Sequence, residues 1–264
     1  MIMRFGEGFN ESLPSICFGL IIPVVVRRLH TSRLFVGDVP LDPAQTRHAR
    51  DVLRLPEGTT VEVFDSHGAV ASGSLMYLEN HETVVRVSDL RPMLNPVQSI
   101  VVASAVPKGE RADWMIEKLS ELGVAAFIPL AADRSVVLPE GRGKFERWAR
   151  IATESAKQSR RAGVMAIEPL TKVDELLATH PKGLVLSTEA GAEPILNLLI
   201  DMPGQVVLAI GPEGGWTDVE LERFSVSGYR KAHLTASILR TETAAIAAAT
   251  AAAIAIGFAD LPTL

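Results

Sequence analysis

The 264-residue sequence has a single cysteine, Cys17, so neither an intramolecular disulfide nor a cysteine-based zinc site can form. A chain this long buries roughly 70–75% of its unfolded surface and needs no such staple. It also lacks an apolar run of the ~20 residues that span a bilayer. The longest run near the start, residues 16–26, contains Pro23 and precedes Arg27 and Arg28, whereas a secretory signal places its basic residues first. The nucleotide-binding patterns Gly-x-Gly-x-x-Gly and Gly-x-x-x-x-Gly-Lys-Ser/Thr are missing, as is the Gly-x-Ser-x-Gly elbow of serine hydrolases. The six histidines show no metal-binding spacing. A net charge of −5 excludes a protein coated in basic charge. These absences leave a folded protein of a reducing compartment, the cytoplasm, with no membrane partner.

What is present divides into three stretches. Residues 1–30 carry no strand or helix period up to Val26 and read as an upstream start, with the natural one among Val24–Val26, or as a loosely ordered extension. Residues 31–95 are β-rich. A first strand is predicted at 33–36, a helix or turn at 48–55, and an alternating strand at 61–64. The turn Asp65-Ser66-His67-Gly68 follows, then strands at 69–78 and 83–87. Arg91 to Pro96, with two prolines, reads as a linker. From 96 to 264 strands and helices alternate, which predicts a parallel sheet covered on both faces. Within this stretch Thr217 and Glu220 form a capping box, and the alanine-rich run 244–258 predicts a buried helix.

Open parallel sheets bind ligands at the carboxyl ends of their strands. Three predicted strand ends carry polar, loop-like residues: Ser187-Thr188-Glu189, Gly211-Pro212-Glu213-Gly214-Gly215, and Thr235-Ala236-Ser237-Ile238. Three glycines in five residues allow close backbone approach to a ligand, or simply a tight turn. A second feature is local charge. Residues 142–161 hold seven Lys/Arg and two Glu. On a helix, Arg147, Arg150, Lys157 and Arg161 fall within an arc of about 80°, with Trp148, Ile151, Ala152 and Ala156 on another face. Such a stripe is either a solvated face or a surface for a polyanion, most simply RNA.

Several blocks are recognisable. Lys108-Gly109-Glu110-Arg111-Ala112-Asp113-Trp114, Glu117-Lys118 and Glu121-Leu122-Gly123 resemble the opening helix of the ribosomal RNA small subunit methyltransferase E family, the 16S rRNA (uracil-1498-N3)-methyltransferases of the SPOUT superfamily. Arg134-Ser135, Arg147-Trp148 and Gln158-Ser159-Arg160-Arg161 resemble its next blocks. Ile210 to Thr217 and Leu239-Arg240-Thr241-Glu242-Thr243-Ala244 resemble its two most specific motifs, and His48 with Val52-Leu53-Arg54-Leu55 resembles its N-terminal domain. The likeness covers about residues 31–258.

The resemblance implies an α/β fold: a small PUA-like β-barrel followed by a trefoil-knotted SPOUT methyltransferase domain with a parallel sheet, usually in a homodimer. It implies S-adenosyl-L-methionine as cofactor, held by Leu186, Ser187, Thr188, Glu189, Ile210, Gly211, Pro212, Glu213, Gly214, Gly215, Leu234, Ile238, Leu239 and Thr243. It implies 16S rRNA as partner, in the assembled small subunit, contacted by Lys108, Arg111, Arg134, Arg147, Arg150, Lys157, Arg160 and Arg161. Arg240 beside the third loop would stabilise an anion, and Glu242 would orient it, serve as base, or complement the helix dipole. One departure stands out. Thr235 and Ser237 occupy positions where the family pattern has glycine and arginine, and a left-handed backbone at 235 would strain threonine. The alternatives are ribose 2′-O methylation, which other SPOUT proteins perform, and a non-catalytic RNA-binding assembly factor on the same fold.

Overall fold

A computed structural model describes residues 27–79, 82–92, 100–161, 163–200, 202 and 204–259. Met1–Val26, with the expected start site, lies outside them.

The first sheet contains β1 (Arg27–His30), β2 (Gly37–Pro40), β3 (Thr60–Phe64), β4 (Ala69–Tyr77), β5 (Thr83–Val87) and β6 (Arg91–Pro92). Its order is β1-β3-β4-β5-β2, with β6 on β4. All pairs are antiparallel except β1 with β3. The assignment of residues 1–30 to an extension is therefore corrected at its end. Arg27–His30 is a sheet strand and Leu29 is wholly buried. The strand expected at 33–36 is loop, and the chain joins the sheet only at Gly37. Asp65 holds that loop from across the domain. Its Oδ2 accepts from Leu34 N (3.3 Å), while Oδ1 accepts from His67 N and Ala69 N and closes the turn between β3 and β4. Arg91-Pro92 pairs with β4 despite its proline, which a two-residue edge strand tolerates. Between β2 and β3 run α1 (Pro43–Arg47), capped by Asp42, and one π-helical turn, His48–Val52.

The second sheet is wholly parallel. Its strands are β7 (Ile100–Ser104), β8 (Ala126–Ala131), β9 (Ala166–Ile167), β10 (Thr171–Lys172), β11 (Gly183–Leu186), β12 (Glu193–Pro194), β13 (Val206–Ile210) and β14 (Tyr229–His233). The order is β10-β8-β7-β13-β11-β14-β12, with β9 on β8. The helices are α2 (Glu110–Glu121), α3 (Arg142–Gln158), α4 (Val173–Thr179), α5 (Ile195–Ile200), α6 (Asp218–Val226) and α7 (Thr241–Ala259).

Strand alternation sorts the core into two layers. Ile100, Val102, Leu184, Val206 and Leu208 join α2, α3, α5 and α7 in one cluster. Val101, Ala103, Val185, Val207 and Ala209 face α4 and α6 in the other. α3 also meets the first sheet, where Phe64, Val70 and Ala156 form a small apolar cluster. There Arg28 lies over the Phe64 ring and donates to Ala156 O (3.0 Å).

The order of the outer strands makes two connections cross. From the carboxyl end of β11, residues 187–192 pass across β14 to reach β12. From the carboxyl end of β14, residues 234–240 pass back across β11 to α7, where Thr241 Oγ1 donates to Gly211 O at the end of β13 (3.2 Å). Such crossings are rare in open sheets. Here they put three loops on one spot.

The alanines of α7 make that return possible. Ala245, Ala248, Ala249 and Ala252 are fully buried against Met115, Ile116 and Leu119 of α2 and Leu198 of α5. Thin side chains let α7 lie close to the sheet and to two helices. Ala248→Leu should overpack this contact and cost about 1–3 kcal/mol, measured by urea unfolding.

Candidate active site at the crossing loops

The three loops enclose a cleft of about 380 Å³ lined by residues 186–189, 210–216, 232–235, 237–239, 241 and 244, with Arg134 and Leu221. That is within the ~300–1,000 Å³ usual for small-molecule sites. Of the fourteen residues expected to hold a cofactor, the structure gathers all but one around this cleft. Thr243 is the exception. It is exposed, whereas Thr241 and Ala244, three apart on α7, face the cleft.

Trp216 is the brace. Its Nε1 donates to Leu186 O at the end of β11 (2.9 Å), tying the second loop to the start of the first. Its ring packs edge-on against Phe224 of α6, with centroids 4.9 Å apart. A Cβ at Gly211 would lie 2.9 Å from Trp216 Cε2, so the space that glycine leaves is filled by the indole. At Gly214 a Cβ would meet Arg134 Cβ at 3.4 Å. Gly211 is thus set by loop packing, whereas a Cβ at Gly214 would make only ordinary van der Waals contact. Gly215 alone of the loop's glycines has a left-handed backbone, φ 71°.

The loop is held from behind as well. Thr217 and Glu220 form the expected capping box, and Glu220, almost fully buried, also accepts from Asp133 N (2.9 Å). That fixes Arg134, whose Nη1 donates to Gly214 O and Trp216 O. Arg134 therefore acts first as a clamp on the glycine loop. The first loop is pinned on its outer side by Lys231 to Glu189 (2.8 Å) and Arg230 to Glu193 (2.9 Å).

The third loop offers unpaired donors. Ile238 and Leu239 line the cleft, and their backbone N–H groups bond to no other described residue. Thr235 does not have a left-handed backbone. Its Oγ1 instead donates to Ser237 O (2.8 Å), closing a tight turn that takes over the role expected of glycine.

The charged residues separate by burial. Arg240 is exposed and pairs with no described residue. Glu242 does not orient it. That carboxylate is buried, and Oε1 accepts from Arg111 Nη1 (3.2 Å), which also donates to Glu213 Oε1 (3.0 Å). The two carboxylates raise the Arg111 pKa, Glu213 contributing first. The expected stripe on α3 is only half present. Lys157 is buried and paired with Glu154 (2.8 Å). Arg161 is buried too, donating to Ser120 O and Val124 O at the end of α2, and desolvation pushes its pKa down to about 10. Both are structural: α3 turns Lys157 inward, but the helix ends at Gln158, short of the expected Arg161, and a left-handed Arg160 (φ 55°) turns the chain so that Arg161 reaches the end of α2. Arg147 pairs with Asp113 (2.7 Å) but stays largely exposed. Lys108, Arg150 and Arg160 are exposed, with no ion-pair partner among the described residues. No group of three or more His, Cys, Asp or Glu among the described residues could hold a metal, and no described helix is long and apolar enough to cross a membrane.

This cleft lies in the parallel-sheet part of the chain, where the family model described as an RNA methyltransferase domain matches residues 94–253. Ribosomal RNA small subunit methyltransferase E of Synechocystis is 34% identical over 80% of this chain and 71% of its own length. The Bacillus subtilis protein of the same name is 31% identical over 78% and 86%. The chain belongs to the ribosomal RNA small subunit methyltransferase E family. Among solved structures, the Neisseria gonorrhoeae member bound to S-adenosyl methionine superposes with a TM-score of 0.74 at 28% identity, covering 86% of this chain and 96% of that one. A Legionella pneumophila putative methyltransferase with bound cofactor gives 0.76 at 26%, covering 90% and 100%.

Trp216 and Thr241 line the cleft from within the two recognised motifs, although neither was among the expected cofactor residues, and His233 lines it with no signal of its own in the sequence. Gly211→Ala should displace the indole and lower the melting temperature by several degrees, with a cost of about 1–3 kcal/mol. Scanning calorimetry checks this. An unchanged melting temperature would mean the indole is not locked.

Proposed function

We propose that the protein methylates N3 of a uridine in 16S ribosomal RNA, uridine 1498, using S-adenosyl-L-methionine bound in the cleft of the crossing loops. The observation that carries this reading is the convergence of three strand-end loops on one cleft in a chain of this family. The cleft suits the cofactor chemically. Leu186, Ile210, Leu239 and Ala244 offer apolar walls for a purine ring, while the free N–H groups of Ile238 and Leu239 and the hydroxyls of Ser187 and Thr188 offer polar ends. S-adenosyl-L-methionine, when bound, supplies a methyl group on a sulfonium sulfur.

The chain's own task is to hold the uracil. Its N3 becomes a nucleophile only after losing a proton, which leaves negative charge on the ring. Arg240, unpaired beside the third loop, is placed to stabilise that charge. Glu242, turned toward Arg111, is read as a positioning residue. Lys108, Arg150 and Arg160, with the exposed Arg147, supply phosphate contacts, and the first sheet serves as a PUA-like RNA-binding barrel.

The crossing of residues 187–192 with 234–240 supports a trefoil knot, and Ile238, 85% exposed at the cleft, supports a homodimer in which a second copy covers it. A ribosomal substrate supports a cytoplasmic location. The non-catalytic alternative drew on the departure at Thr235, whose backbone is not left-handed and whose hydroxyl closes a turn, which supports the catalytic reading.

Deleting the gene should leave one uridine of 16S rRNA without its N3-methyl group, and adding purified protein to small subunits from that strain should restore it. Mass spectrometry of nucleosides reads both. A missing ribose methyl instead would replace the N3 assignment.

A further inference from the structure

Arg111 stands in the first turn of α2 and touches two carboxylates through a single nitrogen. Nη1 lies 3.0 Å from Glu213 Oε1 and 3.2 Å from Glu242 Oε1. Its Nε and Nη2 have no partner among the described residues. A guanidinium carries five N–H donors in a planar fork, so most of its capacity is unused. The two acids differ sharply. The Glu242 side chain is 6% exposed, and its Oε2 is buried with no hydrogen-bond partner. The Glu213 side chain is 55% exposed, within the glycine loop that lines the cleft.

Burial decides which of the two can let go. An exposed ion pair is worth little and is screened by salt. Breaking a buried pair strands an uncompensated charge and costs far more. Glu242 already has one oxygen without a donor and cannot spare the other. The trio also carries two negative charges against one positive, so an arriving anion is accepted only if one carboxylate leaves. A phosphate offers a better match to the open fork than a carboxylate sharing one nitrogen, since arginine and phosphate pair through two parallel hydrogen bonds.

We infer that Glu213 is an internal stand-in for an RNA phosphate on Arg111, displaced when substrate arrives, while Glu242 keeps the guanidinium in place. Because Glu213 belongs to the glycine loop, phosphate binding at Arg111 frees a residue of the cofactor cleft and so links the two sites. The inference rests on the reading of RNA as substrate.

A double-mutant cycle tests it, with an unmethylated 16S rRNA transcript as probe. Glu213→Gln should tighten transcript binding about two- to fivefold, the scale of one exposed ion pair. In an Arg111→Ala background the same substitution should change nothing. Glu242→Gln, checked for folding by its melting curve, should weaken binding and abolish the gain from Glu213→Gln. Glu213→Gln without effect on the wild-type background overturns the inference, as does an equal gain in the Arg111→Ala background, which would reflect bulk charge. Wild-type protein that binds neither the transcript nor unmethylated small subunits at low salt overturns the RNA reading and the inference with it, an outcome distinct from binding that ignores Glu213.

Discussion

The hydrogen bond from the Trp216 indole to the Leu186 carbonyl joins two loops that the chain reaches by separate routes. Leu186 ends β11, and Trp216 closes the loop after β13. The two strands are neighbours, yet the loop after β11 leads to the edge strand β12 and the loop after β13 leads to α6. Without a tie they would be free to part, and the cleft between them would have no fixed width. The indole supplies both the tie and the wall, because its ring fills the space beside Gly211 and rests on Phe224. A buried carbonyl left without its donor costs about 1–3 kcal/mol, so this one bond is a sizeable part of a loop's local stability. The remaining supports converge on the same place. Arg134 bonds the carbonyls on either side of Gly215, Glu220 fixes the loop that carries Arg134, and Thr241 secures the start of α7 to Gly211.

Charge is distributed by the same logic. Cations that the sequence groups on one helix do different work according to the neighbours they meet. Arg161 satisfies two carbonyls at the end of α2 and bears the desolvation, while Arg150, on the face of α3 opposite the buried Trp148, is left to water. Arg111 sits between these extremes, half-exposed and sharing one nitrogen between a buried acid and an exposed one.

Much of this was legible in the sequence, for identifiable reasons. The alternation of apolar strands and helices after residue 96 marks a parallel sheet because each strand buried on both faces reads as a continuous apolar run. The capping box at Thr217 and the turn at Asp65 are set by local hydrogen bonds, which depend on a few adjacent residues. Thirteen of the fourteen expected cleft residues lie where strand-end loops must be. The misses are long-range. Strand β1 belongs to the first sheet only through its parallel partner β3, thirty residues on, so Arg27–His30 carries no local turn signal to announce it. Whether Lys157 faces water depends on what packs beside α3, which helical spacing does not specify, and Arg161 lies past the end of that helix, where the spacing no longer applies. The space at Gly211 looks like room for a ligand until Trp216 is seen to occupy it. The strand order that makes two connections cross has no counterpart in local pattern at all.

The cleft binds its cofactor because the indole bond sets its width. Calorimetric titration of S-adenosyl-L-methionine against the wild-type protein and Trp216→Phe measures this most directly, since phenylalanine keeps an aromatic ring and removes the N–H. Saturable one-site binding by the wild-type protein and affinity about tenfold weaker, or worse, in a variant that still folds is the predicted result. Equal affinity in the two proteins would contradict it.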